Sequence, residues 1–537
     1  MSLQHWASLK VTCESSAAGV RGRAKAAVAT STCPSSFQGA SSNWLLPPMA
    51  SGVTAAGHPV SAQAGADALR AGGNAVDAAL AAMVTSFVAE PLLTGLGAGG
   101  LMTVSQPDGA TVCLDFFVES PGRDADHSAR AELLPWEVDF GDATQVFNAG
   151  PASAGIPGTI AGVAHASERF GRLPLAQLTT PAAQLAREGV ALNAEQAYVV
   201  SLLDGIVRST PECAAIFAPD GDLLVEGDLV RQPELADALE VLGSEGSAPF
   251  YTGRIAELLA DWLGSRGGLV TAADLAAYDV VERKPIGVNY RGHTVMLTPP
   301  PSAGGTLIAL SLGRLNEAAG PPSATQLAAA MRESQEARTV EFLDGLAEPG
   351  FADSFLGAKL GSTTHISTID EDGMACSVTC SNGSSSGVVV PGTGVHLNNM
   401  LGEQDLNPHG FHQHPIGRRL PSMMTPAVVL RDGRPWCAIG SAGSNRIRSA
   451  MLQTVIAAVD HGLGLQRAIE APRIHWEDGV LYTEPGADVD GLPSGGAIAE
   501  FRAANLFFGG VQAVARSHDG TFDGGGDPRR GGAVAWA

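Results

Sequence analysis

Residues 361–370 read GSTTHISTID, and a short turn separates them from a second run of alternating larger and smaller side chains. The β-branched residues that follow Thr363 predict a strand, and Glu371-Asp372-Gly373 is typical of a tight turn. Residues 374–380 then predict the second strand of a hairpin. Thr363 therefore stands at the leading end of a predicted hairpin.

Thr363 has the features of a concealed N-terminal nucleophile. A threonine hydroxyl attacks an amide only when a base takes its proton, and an α-amine on the same residue, with a pKa of about 7.7 to 8.0, can be that base. The small residues Gly361 and Ser362 would let the hydroxyl reach the preceding carbonyl, form an ester and lose it to water. The pattern predicts self-cleavage into residues 1–362 and 363–537.

Further motifs accompany this stretch on both sides. Upstream, the chain reads RAGGNAVDAA at 70–79, GLGAGG at 95–100 and PPPSAGG at 299–305. Downstream, it reads PGTG at 391–394, LNN at 397–399, GSAGSNRI at 440–447 and APR at 471–473. In this order, over about residues 52–537, the motifs resemble those of the gamma-glutamyltransferases, which are N-terminal nucleophile hydrolases.

The resemblance implies an α+β fold, a four-layer αββα sandwich built by two self-cleaved subunits. We expect a large subunit over residues 49–362 and a small subunit over 363–537 that begins with the nucleophile. Residues 1–48 lie outside the resemblance and are predicted to be a disordered extension. The stretch from Phe342 to Leu360 is predicted to be an exposed connector, because new chain ends must separate after a cut.

The resemblance also assigns reaction roles. The backbone N–H groups of Gly443 and Ser444 match the oxyanion hole, where the second family residue is often glycine. A backbone donor tolerates that change, because attack on an amide needs only aimed N–H groups. Ser381 matches the residue that hydrogen-bonds the amine or hydroxyl of the nucleophile.

Three further matches concern the substrate. Asn382 falls close to a substrate-binding asparagine, and Ser422 matches the first of two serines that contact the substrate carboxylate. Glu403 falls where the family places an acid that holds the substrate α-ammonium. The second serine position is Met423, and a neighbouring glutamine or arginine position is Met400.

The most serious departure from the family pattern is Phe117. The family places an arginine after Asp-Phe to clamp the glutamyl α-carboxylate, and a phenylalanine cannot form that bidentate pair. Either another cation, such as Arg418 or Arg419, reaches the site, or the acyl group is not γ-glutamyl.

Three functions remain open from the sequence. The leading one is transfer of the acyl group of γ-glutamyl amides, such as glutathione, to water or an amine. The second keeps the nucleophile but acts on another acyl group, which Phe117, Met400 and Met423 favour. The third is an uncleaved, inactive homologue that only binds a ligand.

Composition excludes several partners. The net charge of −22 argues against nucleic acid and anionic membrane surfaces. No apolar run reaches the ~18 residues of a membrane-spanning helix, and no secretory signal is seen, so we expect a cytoplasmic location. The seven scattered cysteines do not predict a disulfide framework, and we expect Cys376 and Cys380 to be buried thiols.

Neither a cofactor nor a metal is expected. Residues 95–100 match the spacing of a dinucleotide fingerprint, but a helix precedes them and a strand follows, which is the reverse of what that fingerprint requires. We expect these glycines to permit close backbone packing. His409, His412 and His414 lack a cysteine or acid at ligand spacing, so we interpret them as part of a polar loop near the active-site mouth.

Local signals predict several other elements. Pro59 suits the first turn of a helix that Gly72-Gly73 ends, and Asn74 is expected to cap a second helix. Residues 155–290 are expected to be mainly helical, with a capping box at Thr271 to Asp274. Residues 291–297 predict a strand, and a helix is expected from about Thr306.

Overall fold

The protein is described from a computed structural model, which describes residues 50–139, 144–337, 363–407, 409–489, 491 and 497–537. The predicted extension at residues 1–48, the predicted connector from Phe342 to Leu360, and Gly361 and Ser362 lie outside the described residues. Among the helices of the described part, none combines the length and apolar character that a bilayer crossing requires.

Two antiparallel sheets form the centre of the fold. The first sheet contains, in spatial order, β22 (Ala533–Trp536), β1 (Gly52–Ala56), β11 (Thr364–Asp370), β12 (Ala375–Ser381), β2 (Gly99–Ser105), β3 (Thr111–Phe116) and β8 (Val281–Arg283). The second contains β21 (Phe522–Gly526), β20 (Gly510–Arg516), β16 (Arg434–Ala442), β15 (Ala427–Arg431), β10 (His293–Leu297) and β9 (Ile286–Tyr290).

Short strands outside the two sheets pair among themselves. They are β4 (Leu134–Asp139) with β5 (Thr144–Ala149), β6 (Val190–Ala191) with β7 (Leu229–Val230), β13 (Val389–Val390) with β14 (Val395–His396), and β17 (Ile474–Glu477), β18 (Val480–Thr483) and β19 (Ala497–Glu500).

The helices precede, separate and follow the strands. They are α1 (Pro59–Arg70), α2 (Ala75–Ala89), α3 (Thr159–Phe170), α4 (Leu175–Glu188), α5 (Ala194–Leu202), α6 (Asp204–Val207), α7 (Pro211–Phe217), α8 (Pro233–Glu245), α9 (Ala248–Tyr251), α10 (Arg254–Gly264), α11 (Ala272–Ala276), α12 (Ala303–Asn316), α13 (Ala324–Glu336), α14 (Arg446–Val459) and α15 (Leu465–Glu470).

The sheets and helices stack in four layers. One core cluster joins α2 to the outer face of the first sheet through residues such as Val84 and Ile366. A second cluster joins α12 and α14 to the outer face of the second sheet, where Leu307 and Ile447 pack near Val429. A third cluster lies between the two sheets and includes Val53, Ile369, Ala438 and Val514. The predicted αββα sandwich is confirmed.

Strand β11 shows how the sequence builds these layers. Successive side chains of a strand point to opposite faces of its sheet. Ile366 packs in the cluster with α2, and Thr368 donates to the carbonyl of Ala75 at the start of that helix. Ser367 instead donates to the carbonyl of Gln512 on the second sheet, and Ile369 packs between the sheets. By this alternation, Thr363 faces the space between the sheets.

Most local predictions are confirmed. Asn74 caps α2 with a full capping box, and Thr271 and Asp274 form the other predicted box. The predicted hairpin is β11 and β12, and Cys376 and Cys380 are buried free thiols. The helix expected from about Thr306 begins earlier, at Ala303.

Candidate active site

Four neighbouring strands of the first sheet, β11, β12, β2 and β3, have their ends side by side at one end of the sheet. The pairing sets Thr364 opposite Cys380, Cys380 opposite Gly100, and Gly100 opposite Phe116. One residue further along, Ser381 pairs with Gly99. The same register extended by one residue sets Thr363, which precedes β11, opposite Ser381, which ends β12.

The glycines before β2 let backbone segments approach this end of the sheet closely. A Cβ atom on Gly97 would lie 2.2 Å from the carbonyl oxygen of His396, and one on Gly99 would lie 2.7 Å from the nitrogen of Val118. Contacts this short exclude any side chain larger than hydrogen. The expectation of close backbone packing is confirmed, and β2 follows the glycines as a strand.

Ser381 and Asn382 begin the loop after β12. The hydroxyl of Ser381 accepts a hydrogen bond from the N–H of Gly383 at 2.8 Å. The Asn382 side chain is fully buried, yet neither atom of its amide has a hydrogen-bond partner. An unpaired buried amide costs about 1–3 kcal/mol, so it is tolerated where a ligand can pair with it.

The predicted oxyanion residues form a tight turn between β16 and α14. Gly443 has a φ of +115°, and Ser444 has a φ of +68°, in the left-handed region where side chains are strained. Within the described part of the chain, no acceptor pairs with the backbone N–H of either residue. The turn therefore presents two adjacent, uncommitted donors, as an oxyanion hole requires.

Contacts between the sheets bring this turn towards the end of β11. A Cβ on Gly440 would lie 2.2 Å from the ring of His365, whereas Ile369 shares a cluster with Ala438. The N-terminal end of β11 therefore lies over the C-terminal end of β16, which leads to Gly443. The turn at Gly443 therefore lies towards the same end of the sandwich as Thr363.

His365 is a structural residue of this region. Its ring pairs with the hydroxyls of Thr379 at 2.7 Å and Ser367 at 2.9 Å. Burial lowers the pKa of His365 to about 3, so the ring is neutral at working pH. His365 is therefore not a charged partner for the predicted nucleophile, Thr363.

Glu403 lies beside the loop that carries Asn382. Its Oε1 accepts hydrogen bonds from the backbone N–H of Ser384 at 3.1 Å and from the Ser384 hydroxyl at 2.7 Å. A Cβ on Gly383 would lie 3.0 Å from the same oxygen. Burial raises the pKa of Glu403, because a charged carboxylate is poorly solvated there. A ligand ammonium would offset that cost.

Ser422 is held by hydrogen bonds to the proline-rich segment at residues 299–305. Its carbonyl accepts from the N–H of Ala303 at 2.7 Å, and the hydroxyl of Ser302 donates to the carbonyl of Met424 at 2.8 Å. The Ser422 hydroxyl accepts from the N–H of Met424 at 3.0 Å. The adjacent Met423 is buried in the core below the second sheet. The second serine position of the family pattern is thus occupied by a core residue.

Phe117 directly follows β3 and belongs to an apolar cluster. It is 2% exposed, and its neighbours in the cluster include Met400, Leu401, Leu420 and Met424. Two of the three departures from the family pattern, Phe117 and Met400, therefore pack in one cluster. This cluster is called the Phe117 cluster below.

Arg419, one of the two cations that could replace the missing arginine, is already neutralised. Its guanidinium contacts Glu119 at 2.7 Å and Asp115 at 3.4 Å, and it lies 4.3 Å from the centre of the Tyr278 ring. Its side chain is only 6% exposed. A guanidinium with two carboxylate partners has little charge left for a third. Arg418 is an exposed residue of the same loop.

The sequence analysis did not single out two charged residues of this region, Glu90 and Arg530. Glu90 follows α2 and accepts a hydrogen bond from the hydroxyl of Thr364 at 2.8 Å. Its signal was an acid at the end of an otherwise apolar helix, just before the glycine run. Arg530 lies beside Gly443, where a Cβ would be 3.1 Å from its Nη2. Nothing in the sequence distinguishes Arg530 from Arg529.

The three histidines of the polar loop do not form a cluster of ligands. The ring of His414 pairs with the carbonyl of Leu406 at 2.8 Å, and His409 is exposed. Among the described residues, no group of three His, Cys, Asp or Glu side chains could hold a metal ion.

Comparison with known proteins identifies relatives along most of the chain. The family model described as Gamma-glutamyltranspeptidase matches residues 61–354 and 324–537. Glutathione hydrolase proenzyme of Escherichia coli (strain K12) is 32% identical over 529 residues, which cover 89% of this chain and 90% of that protein. Acylase ACY 1 proenzyme of Pseudomonas sp. (strain SE83) is also 32% identical, over 88% of this chain and 91% of that protein.

A solved structure has the same architecture. The crystal structure of cephalosporin acylase from Bacillus halodurans superposes with a TM-score of 0.78 at 26% identity. The match covers 91% of this chain and 96% of that chain. Relatives of similar overall likeness thus include proteins named as glutathione hydrolases and proteins named as acylases.

Proposed function

Because the chain belongs to the gamma-glutamyltranspeptidase family, we propose that it is an amide hydrolase and acyltransferase that activates itself by cleavage before Thr363. The observation that carries this proposal is the turn of Gly443 and Ser444, whose N–H groups have no acceptor within the described part of the chain and which lies towards the end of the sandwich where Thr363 precedes β11. Cleavage would yield a large subunit ending at residue 362 and a small subunit beginning with the nucleophile.

The proposed reaction uses the α-amine of Thr363 as base. The hydroxyl oxygen bonds to the substrate carbonyl carbon while its proton passes to the amine, and the carbonyl electron pair moves to oxygen. The N–H groups of Gly443 and Ser444 stabilise that oxyanion. The protonated amine then gives its proton to the leaving nitrogen as the C–N bond breaks. Water or an amine finally takes the acyl group from the threonine ester.

We infer that the acyl group is not held by a carboxylate clamp. Phe117 and Met400 pack in the Phe117 cluster, and Arg419 is neutralised by Asp115 and Glu119. Glu403 is buried and retains the ability to bind an ammonium or to donate a hydrogen bond when protonated. These features support an acyl chain that is apolar where a γ-glutamyl group carries its carboxylate, with an amine tolerated near Glu403.

A second candidate is hydrolysis or transfer of γ-glutamyl amides such as glutathione. Glu403 favours it, since an acid at that position suits the α-ammonium of a γ-glutamyl group. The likeness to a protein named Glutathione hydrolase proenzyme supports the same candidate.

Two measurements test the proposal. Intact mass spectrometry of the wild type should give two fragments, the smaller beginning at Thr363, whereas Thr363→Ala should remain whole. Four p-nitroanilides then separate the acyl groups: γ-glutamyl, glutaryl without the amine, 4-aminobutyryl without the carboxylate, and butyryl without either. We expect the two anilides without a carboxylate to be cleaved faster. The opposite ranking would favour γ-glutamyl, and an uncut wild-type chain would favour the ligand-binding homologue.

A further inference from the structure

A group of arginines lies beneath the turn that carries Gly443, and two of them are neutralised. Arg473 contacts Asp527 at 2.6 Å, and Arg529 contacts Glu484 at 2.6 Å and Asp527 at 3.2 Å. All four of these side chains are almost fully buried. Such pairs balance each other's charge, so they contribute little field at the turn.

Arg530, the next residue, has no such partner. Its Nη2 donates to the carbonyl of Leu506 at 3.1 Å, and its Nε is buried without an acceptor. Within the described part of the chain, no ion pair with a carboxylate is formed by Arg530. The same Nη2 would lie 3.1 Å from a Cβ built on Gly443. A positive charge that no carboxylate contacts within the described part of the chain therefore adjoins the predicted oxyanion hole.

Glu90 contacts the first residue of β11, which directly follows Thr363 in the chain. Its Oε2 accepts from the Thr364 hydroxyl at 2.8 Å, and its Oε1 is buried without a donor. A Cβ on Gly57 would lie 2.4 Å from Oε2, so the carboxylate is held tightly between β1 and β11. Thr364, the residue that follows the proposed nucleophile, thus donates a hydrogen bond directly to the carboxylate of Glu90.

We propose that Arg530 and Glu90 are positioning residues of opposite sign, which together set the protonation of the Thr363 α-amine and the charge available to the oxyanion. The inference rests on the proposed function, because the amine exists only after cleavage. A nearby cation favours the neutral amine that the reaction needs and stabilises a developing oxyanion. A nearby carboxylate opposes both effects.

The charge states support this division of roles. Burial lowers the pKa of Arg530 to about 10, so it stays charged across an ordinary assay range. Burial raises the pKa of Glu90 to about 7, against opposing effects of its bond from Thr364 and of the Arg530 charge. Arg446, Asp527 and Arg473 also act on Arg530, and Cys380 faces Glu90.

The experiment measures kcat and KM against pH with whichever anilide the wild type cleaves, for wild type, Arg530→Met, Arg530→Lys and Glu90→Gln. Arg530→Met should lower kcat about ten-fold with KM nearly unchanged, and should move the acid limb of kcat/KM up by about 0.5–1 pH unit. Arg530→Lys should restore most of both. Glu90→Gln should move the acid limb down, by less, because Glu90 is itself partly protonated near neutral pH.

Opposite shifts are the decisive readout, since a loss of packing would not give opposite signs at the two positions. Intact mass and thermal melting of each variant establish that it is cleaved and folded. Unchanged or parallel shifts in an active, cleaved set would overturn this inference and leave the proposed function standing. If Arg530→Met stays uncut, Glu90→Gln decides alone, and an acid limb that stays or moves up overturns the inference. A wild type that is uncut and inactive instead defeats the proposed function itself.

Discussion

Two regions of the molecule follow the family pattern to different degrees. One is the Phe117 cluster, and the other, called the reaction edge here, consists of Thr363, Ser381 and the turn of Gly443 and Ser444. At the reaction edge, the register of β11 and β12 extended by one residue sets Thr363 opposite Ser381, and the turn at Gly443 has N–H groups without an acceptor in the described part of the chain. In the Phe117 cluster, apolar side chains occupy two positions where the pattern has polar ones. Under the proposed function, this difference separates the residues for chemistry from the residues for specificity.

The physical reason is the kind of group each region uses. The reaction edge relies on strand register and backbone donors, which most side-chain substitutions leave intact. The proposed acyl specificity depends instead on the side chain of Phe117, which follows the last residue of β3. A change there alters what binds without disturbing the pairing of the sheet.

The largest effect is expected from a substitution of Thr363, which changes the reaction edge and leaves the Phe117 cluster intact. Thr363→Ala should abolish self-cleavage and lower amidase activity at least about a thousand-fold, because no other hydroxyl replaces the nucleophile. Thr363→Ser keeps a hydroxyl and should still be cleaved. The measurements are intact mass and anilide kinetics, and an active Thr363→Ala enzyme would remove Thr363 from the mechanism.

The next largest effect is expected on acyl specificity, from a substitution of Phe117. Phe117→Arg should raise kcat/KM for γ-glutamyl and glutaryl anilides relative to the 4-aminobutyryl anilide by about ten- to a hundred-fold, since a bidentate pair with a carboxylate becomes available. Phe117→Leu keeps the site apolar and should leave the ranking unchanged. An equal change in all four anilides would mean that position 117 does not contact the acyl group.

A smaller effect tests Glu403 as the site for an amine. Glu403→Gln should lower kcat/KM for the 4-aminobutyryl anilide about ten-fold and leave the butyryl anilide within about two-fold, because only the former loses a charge-assisted hydrogen bond. Glutamine matches the size of glutamate and keeps an acceptor for Ser384. Equal losses on both substrates would assign Glu403 to the structure of its loop.

The smallest effect concerns the backbone strain at Ser444, in the turn that carries the predicted oxyanion donors. Ser444→Gly should raise the free energy of unfolding by about 0.5–1 kcal/mol, since glycine adopts a φ of +68° without steric cost. Catalysis should change little, because the N–H donor is retained. Chemical denaturation and anilide kinetics together test this, and a large loss of activity would mean that the serine hydroxyl takes part.

Much of the fold could be predicted because its signals are local. The Asn74 cap, the capping box at Thr271 and the hairpin of β11 and β12 each depend on residues a few positions apart. The order of motifs predicted the four layers by resemblance. The assignments of Ser381, Asn382, Glu403 and Ser422 remain predictions that substrate complexes and variants can test.

The sequence by itself determined where the strands turn, which threonine heads the hairpin and which family positions have become apolar, because these follow from residue type and order. Only the tertiary structure decided which charges are available. Arg419 pairs with Asp115 across 304 positions and Thr364 pairs with Glu90 across 274, whereas Arg530 forms no ion pair with a carboxylate within the described part of the chain. A charge acts on a site only to the extent that its neighbours leave it unbalanced, and folding selects those neighbours.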